Sequence, residues 1–106
     1  RITLPPGAGN NGEVHPGMQI VYVESGRMNL RILGGQMKLR RANAKDGEYE
    51  MLNAPNEYEI RAGDTLHEPE ACVHAPRNNG SEPLVILVAS LIPKGAEPTV
   101  FLKERN

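Results

Sequence analysis

The stretch GDTLHEPEACVHAPRN, at Gly63–Asn78, carries the spacing that decides the fold. It opens with a Gly-Asp pair, and Pro69 follows six residues after the glycine. His74 lies five residues beyond that proline, and the closing Asn78 lies four residues beyond the histidine. Gly-Asp and Pro are typical of tight turns. A histidine beside such turns is a candidate ligand or proton-transfer group.

A second polar group occurs earlier, in GEVHPGMQIVYVESG at Gly12–Gly26. Glu13, His15 and Gln19 are all odd-numbered, so they share one face of an extended strand if Pro16-Gly17 keeps the register. Burying a carboxylate, an imidazole and a carboxamide together is costly unless they are paired, and a metal ion is a common partner. Taken alone, such a Glu-x-His spacing at a strand end is more often a surface pair than half of a metal site.

The earlier group resembles the first sequence motif of the cupins. That motif reads Gly, five residues, His-x-His, three or four residues, Glu, six residues, Gly. In this chain Gly7 opens the motif and Gly26 closes it. Glu13 stands at the first His position, His15 at the second, and Gln19 at the Glu position.

The stretch that ends at Asn78 resembles the second cupin motif, which reads Gly, five residues, Pro-x-Gly, two residues, His, three residues, Asn. Gly63, Pro69, His74 and Asn78 match it, and Ala71 replaces the middle glycine. The resemblance implies an all-β fold, a cupin-type β-barrel (a double-stranded β-helix, or jelly roll). We expect a single cupin domain over residues 1–106, often a homodimer in this family.

The resemblance also implies a divalent transition metal bound by Glu13, His15, Gln19 and His74. The usual three His and one Glu become two His, one carboxylate and one amide, and Gln contributes no net charge. Two His and a carboxylate are the ligand set of open-faced iron(II) sites, and Fe, Mn, Ni, Cu and Zn all remain compatible. The alternative is a metal-free barrel in which these groups hydrogen-bond a ligand or water.

Hydrophobic periodicity supports an all-β fold independently of the motifs. Apolar and polar residues alternate through Arg27–Ile32 and again through Gln36–Arg40, which is typical of half-buried strands. Gly34-Gly35 between these runs predicts a tight hairpin. The runs Met18–Val23 and Pro83–Ile92 are apolar on both faces, which predicts central strands or a subunit interface.

The implied function is that of a small metal-dependent enzyme acting on a chelating organic substrate. The chemistry expected by analogy is dioxygenase-like oxidation or isomerase or lyase cleavage. His67 and Cys72 are candidate catalytic residues, because Cys72 shares parity with His74 and His67 shares parity with Thr65 near the same turn. The alternative is a non-catalytic barrel that binds or senses a small ligand or sugar.

Composition narrows the remaining classes. The chain has 106 residues and a net charge of −1, which argues against a nucleic-acid partner. No apolar stretch approaches the roughly 20 residues that span a bilayer, so no membrane partner is expected. A single cysteine excludes an internal disulfide framework. The compartment stays unknown: cytoplasmic by default, with export open because the chain starts at Arg1 and looks truncated.

Overall fold

A computed structural model describes residues 1–102, and these residues form strands and no helix. None of them forms a helix able to cross a membrane. The strands are β1 (Ile2–Leu4), β2 (Glu13–Val14), β3 (Met18–Ser25), β4 (Arg27–Gly34), β5 (Gln36–Arg40), β6 (Glu50–Asn53), β7 (Asn56–Arg61), β8 (Thr65–Glu68), β9 (Val73–Arg77), β10 (Leu84–Leu91) and β11 (Val100–Phe101).

The strands form two antiparallel sheets that enclose one core. One sheet has the order β1-β10-β3-β8-β5-β6, and the other has the order β11-β2-β9-β4-β7. Alternate side chains of both sheets point inward, as the period of two predicts. The buried cluster contains Val21, Val23, Met28, Leu30, Ile32, Met37, Leu39, Leu52, Ile60, Leu66, Cys72 and Leu84. This is the jelly-roll arrangement expected from the sequence.

The hairpin predicted at Gly34-Gly35 is wrong. β4 pairs with β7 and β9, whereas β5 pairs with β6 and β8, so the two strands lie in different sheets. The register of β4 shifts between Ile32 and Gly34, and Gly35 has a φ of +80°. These two features turn the chain out of one ladder and into the facing sheet.

The two runs that are apolar on both faces become neighbouring internal strands. β3 and β10 pair with each other and lie between β1 and β8. Their inward side chains are covered by the second sheet. Their outward side chains stay exposed in the isolated chain: Met18, Ile20, Tyr22, Leu87 and Leu91. We call these five residues the outer apolar face.

The turn from β7 to β8 forms where the sequence predicts it. Gly63 has a φ of +90°, and a Cβ there would lie 2.6 Å from the Cβ of Ala42. The buried Asp64 carboxylate accepts hydrogen bonds from the Arg61 and Ala42 amides at 2.8 and 2.9 Å. It also pairs with Arg41 at 2.9 Å. The turn therefore needs both a glycine and an acceptor.

Ala71 adopts the left-handed conformation, with a φ of +72°, at the position where the cupin motif has glycine. For a residue with a Cβ this conformation costs about 1–2 kcal/mol. The strain lies three residues before His74, so the chain accepts it directly beside the candidate ligand.

We predict that Gly63→Ala lowers the free energy of unfolding by at least about 2 kcal/mol, because backbone strain adds to the contact with Ala42. Gly47→Ala is the matched control: Gly47 has a φ of +82° but no heavy atom within 4 Å of an added Cβ. It should show only the smaller loss from strain. Urea denaturation measures both, and equal losses would contradict the Ala42 contact.

We predict that Ala71→Gly raises the free energy of unfolding by about 0.5–1 kcal/mol. Relief of left-handed strain exceeds the extra entropy that glycine brings to the unfolded chain. Ala62→Gly, a turn position without positive φ, should destabilise the protein instead. Denaturant melts measure both variants. If their free energies of unfolding change in the same direction, the assignment of left-handed strain to Ala71 is contradicted.

Candidate metal centre

Polar side chains from both sheets meet in one cavity between the sheets. Glu13 on β2 and His74 on β9 lie opposite each other in the smaller sheet. Gln19 on β3 and Glu68 on β8 lie opposite each other in the larger sheet. His15 follows directly after β2 and is buried, as are Gln19, Glu68 and His74.

The expectation that Glu13, His15 and Gln19 share one face of a single strand is wrong. The chain crosses from one sheet to the other at Pro16-Gly17, so Glu13 and Gln19 belong to facing sheets. Gly17 packs so closely against the Leu91 carbonyl that no Cβ fits. The three side chains still line one cavity, because the inner faces of the two sheets oppose each other.

The distances between the possible ligand atoms suit a single metal ion. The Nε2 atoms of His15 and His74 lie 3.2 Å apart, and Glu13 Oε1 lies 3.3 Å from His74 Nε2. The ligand atoms of these three residues all lie within 4.8 Å of one another. Ligands bound at about 2.0–2.2 Å around one ion are separated by roughly 3.0–3.5 Å.

Backbone carbonyls fix the protonation of both rings. His15 Nδ1 lies 3.0 Å from the Pro98 carbonyl oxygen, and His74 Nδ1 lies 3.0 Å from the Cys72 carbonyl oxygen. A carbonyl oxygen only accepts hydrogen bonds, so both Nδ1 atoms carry the proton. In the neutral rings the two Nε2 lone pairs therefore face each other, and their repulsion is relieved either by a metal ion or by protonated Nε2–H groups that donate to Glu13 and Glu68. The donor set fits a metal ion, because a carbonyl on Nδ1 is the usual support of a ligand histidine.

The electrostatics of the cluster favour positive charge at the rings. Burial lowers the pKa of His74, but hydrogen bonds to the Cys72 carbonyl, Glu13 and Glu68 outweigh it and raise that pKa to about 12. Burial likewise opposes the charged form of His15, yet Glu68 and the Pro98 carbonyl raise its pKa above the ordinary value. Burial raises the pKa of Glu68, and hydrogen bonds from the two rings reverse this and hold it below its usual range.

The structure brings neither of the two candidate catalytic residues into the cavity. Leu66 and Glu68 point inward from β8, so His67 between them points to the outer surface, beside Met18 and Lys38. Cys72 packs in the hydrophobic core, and it reaches the site only through its carbonyl oxygen. These two predictions are therefore corrected, because the parity of a β-strand and the packing of the core decide the direction of each side chain.

Glu68 is the site residue that the sequence reasoning missed. Its Oε1 lies 3.2 Å from His15 Nε2 and 3.4 Å from His74 Nε2. Its side chain is only 5% exposed. A signal was available, because Leu66 is apolar and has the same parity, which predicts an inward-facing Glu68.

The cavity above the cluster has a volume of about 370 Å³. Its other walls are mainly apolar, and no Lys or Arg is among its described lining residues. These walls are formed by Ile2, Val21, Met28, Pro76, Ile86, Val88, Ser90, Pro98 and Thr99. The ionisable groups and Gln19 thus line a mainly apolar chamber that is large enough for a small molecule.

No protein-family model and no curated protein matches the chain. Solved structures do match it. A variant of Bacillus subtilis oxalate decarboxylase is 26% identical over 94% of this chain and 22% of its own, with a TM-score of 0.59. The formate complex of the Lactobacillus farciminis oxalate decarboxylase is 19% identical over 94% of this chain and 25% of its own, with a TM-score of 0.63.

A third match comes from work on the Mn(II) centres of the Bacillus subtilis enzyme. It is 22% identical over 95% of this chain and 32% of its own, with a TM-score of 0.52. The chain thus spans about a quarter of the length of these enzymes, which are cupins. Two facing antiparallel sheets, the two spaced motifs and these structural matches agree that the chain has the cupin β-barrel fold.

Proposed function

We propose that this chain is a metal-dependent cupin enzyme acting on a small chelating organic molecule. The observation that carries the proposal is the pair of buried imidazoles, whose Nδ1–H groups are held by carbonyls and whose Nε2 atoms lie 3.2 Å apart. Glu13, His15 and His74 would hold the ion. The matched oxalate decarboxylases, one of them with Mn(II) centres, support a divalent transition metal.

A divalent ion at this place would bind and polarise an oxygen atom of the substrate. The residues of the chain supply charge and hydrogen-bonding groups around the substrate. Glu13 adds negative charge beside the ion, and its side chain is 14% exposed, so it also meets the cavity. Gln19 lines the same cavity and presents both a donor and an acceptor to a bound molecule.

The charges in the cavity restrict the substrate. Glu13 and Glu68 together carry two negative charges, which one divalent ion balances. A dianionic substrate would bring two further charges into a buried chamber whose described lining residues include no cation. We therefore propose a neutral or singly charged substrate with one chelating group and an apolar body, which the apolar walls would contact.

Two kinds of chemistry fit such a site, namely oxygen-dependent oxidation and non-redox isomerase or lyase chemistry at a carbonyl group. The alternative function is a binding or sensing barrel without turnover. The enzyme and the binding barrel can be distinguished by measuring oxygen uptake and products. The metal-loaded protein would be tested with a panel of β-diketones and 2-oxo acids. Turnover supports the enzyme, whereas saturable binding of a panel member without product supports the binding barrel.

We predict about one tightly bound divalent ion per chain, and at least a hundredfold weaker binding in His74→Ala, because a direct ligand is lost. Isothermal titration with Mn(II), Fe(II), Co(II), Ni(II) and Zn(II) measures both. His67→Ala is the matched control, since it removes the same side chain from the outer surface, and its affinity should equal that of the wild type. Equal affinities in wild type and His74→Ala would contradict the metal site.

We also propose a homodimer, formed through the outer apolar face. Tyr22 is paired with Leu87 and Met18 with Leu91 across β3 and β10, so these exposed side chains form one continuous patch. A second copy of the chain would cover this patch. The family resemblance implies the same assembly.

We predict that Ile20→Lys converts a dimer into a monomer of 11.6 kDa, because a lysine at the centre of the patch would be buried without a partner. Val100→Lys places the same change at an exposed position of the other sheet and should leave the dimer intact. Light scattering after gel filtration measures both masses. A monomeric wild-type protein would contradict the dimer.

A further inference from the structure

The carboxylate that the cupin motif places at position 19 is absent here, but the carboxylate of Glu68 lies on the neighbouring strand, directly opposite that position. Gln19 and Glu68 are Cα partners in the antiparallel pair of β3 and β8, and both are buried. Side chains at such opposite positions have Cβ atoms about 4.5–5.5 Å apart. Glu and Gln have the same length, so Glu68 reaches the region that Gln19 reaches.

Glu68 is directed at the gap between the two rings. Its Oε1 lies 3.2 Å from one Nε2 atom and 3.4 Å from the other, and those two atoms are themselves 3.2 Å apart. The three atoms form a nearly equilateral triangle. Three ligands of one first-row metal ion form a face of this size.

We infer that Glu68 is a metal ligand of this site and takes the place that Gln19 holds in the motif. This inference rests on the proposed metal-dependent function. The ion would be held by Glu13 from β2, by His15 directly after β2, by His74 from β9 and by Glu68 from β8. Gln19 keeps its carboxamide for the molecule that occupies the cavity.

The charge balance supports this assignment. Two carboxylates and two neutral imidazoles match one divalent cation, so the buried site as a whole is neutral. The competing role for Glu68 is an ion pair with protonated rings, which would stabilise the metal-free protein and compete with the ion. The two roles predict opposite effects when the charge of Glu68 is removed.

Isothermal titration of Glu68→Gln with Mn(II) and Co(II) tests the inference. We expect affinity to fall by about a hundredfold, since a charged ligand becomes neutral. The double variant Gln19→Glu/Glu68→Gln moves the carboxylate back across the ladder, and we expect it to recover affinity to within about tenfold of wild type. Glu70→Gln, the same change at an exposed turn position, is the control and should bind as the wild type does.

Unchanged or tighter binding by Glu68→Gln would overturn the inference while leaving the metal site itself intact. Failure of the proposed function looks different, because the wild type would then bind no ion. Infrared spectra of Glu13→Gln supply a measurement that keeps Glu68 unaltered. Metal addition to that variant should still shift a carboxylate stretch, and the absence of any shift would overturn the inference even if Glu68→Gln fails to fold.

Discussion

The site depends on two hydrogen bonds from imidazole rings to backbone carbonyls. The Pro98 carbonyl holds the proton of His15 on Nδ1, and the Cys72 carbonyl does the same for His74. Each bond turns the other nitrogen of its ring toward the middle of the barrel, where two lone pairs oppose each other at 3.2 Å. Such an arrangement needs positive charge at the Nε2 atoms, supplied either by a metal ion or by protons that the rings share with Glu13 and Glu68. The positions of the Pro98 and Cys72 carbonyls therefore decide which nitrogen of each ring faces the cavity.

The fold brings these carbonyls into place by repeated crossing between two sheets. The chain changes sheets at Pro16-Gly17, at Gly34-Gly35 and again at Gly63. Each of these three crossings uses a glycine at a close approach or at positive φ. Strands that are distant along the chain thereby face each other, so β2 and β9 oppose β3 and β8 across the cavity.

Local sequence patterns predict which residues are buried better than they predict connectivity. Alternation gives the inward faces of β4 and β5 correctly, because parity in a strand is a local property. The motif spacing predicts that His15 and His74 belong to one site. A Gly-Gly pair, however, serves a hairpin and a crossing equally well, so only the partner strands distinguish them. Parity with Leu66 also predicts an inward Glu68, whereas the prediction of His67 and Cys72 as catalytic residues rests on their parity with Thr65 and His74.

An antiparallel ladder makes the exchange of a ligand between neighbouring strands physically easy. Opposite residues share a face, lie within a few ångströms and reach the same space, so a Glu-Gln pair can be inverted without changing the packed volume. Inversion does change what each strand presents to the cavity. With the carboxylate on β8, the inner position of β3 becomes a neutral amide, which donates and accepts hydrogen bonds without repelling an anionic group. The same site charge is thus kept while the recognition surface for a small molecule is altered.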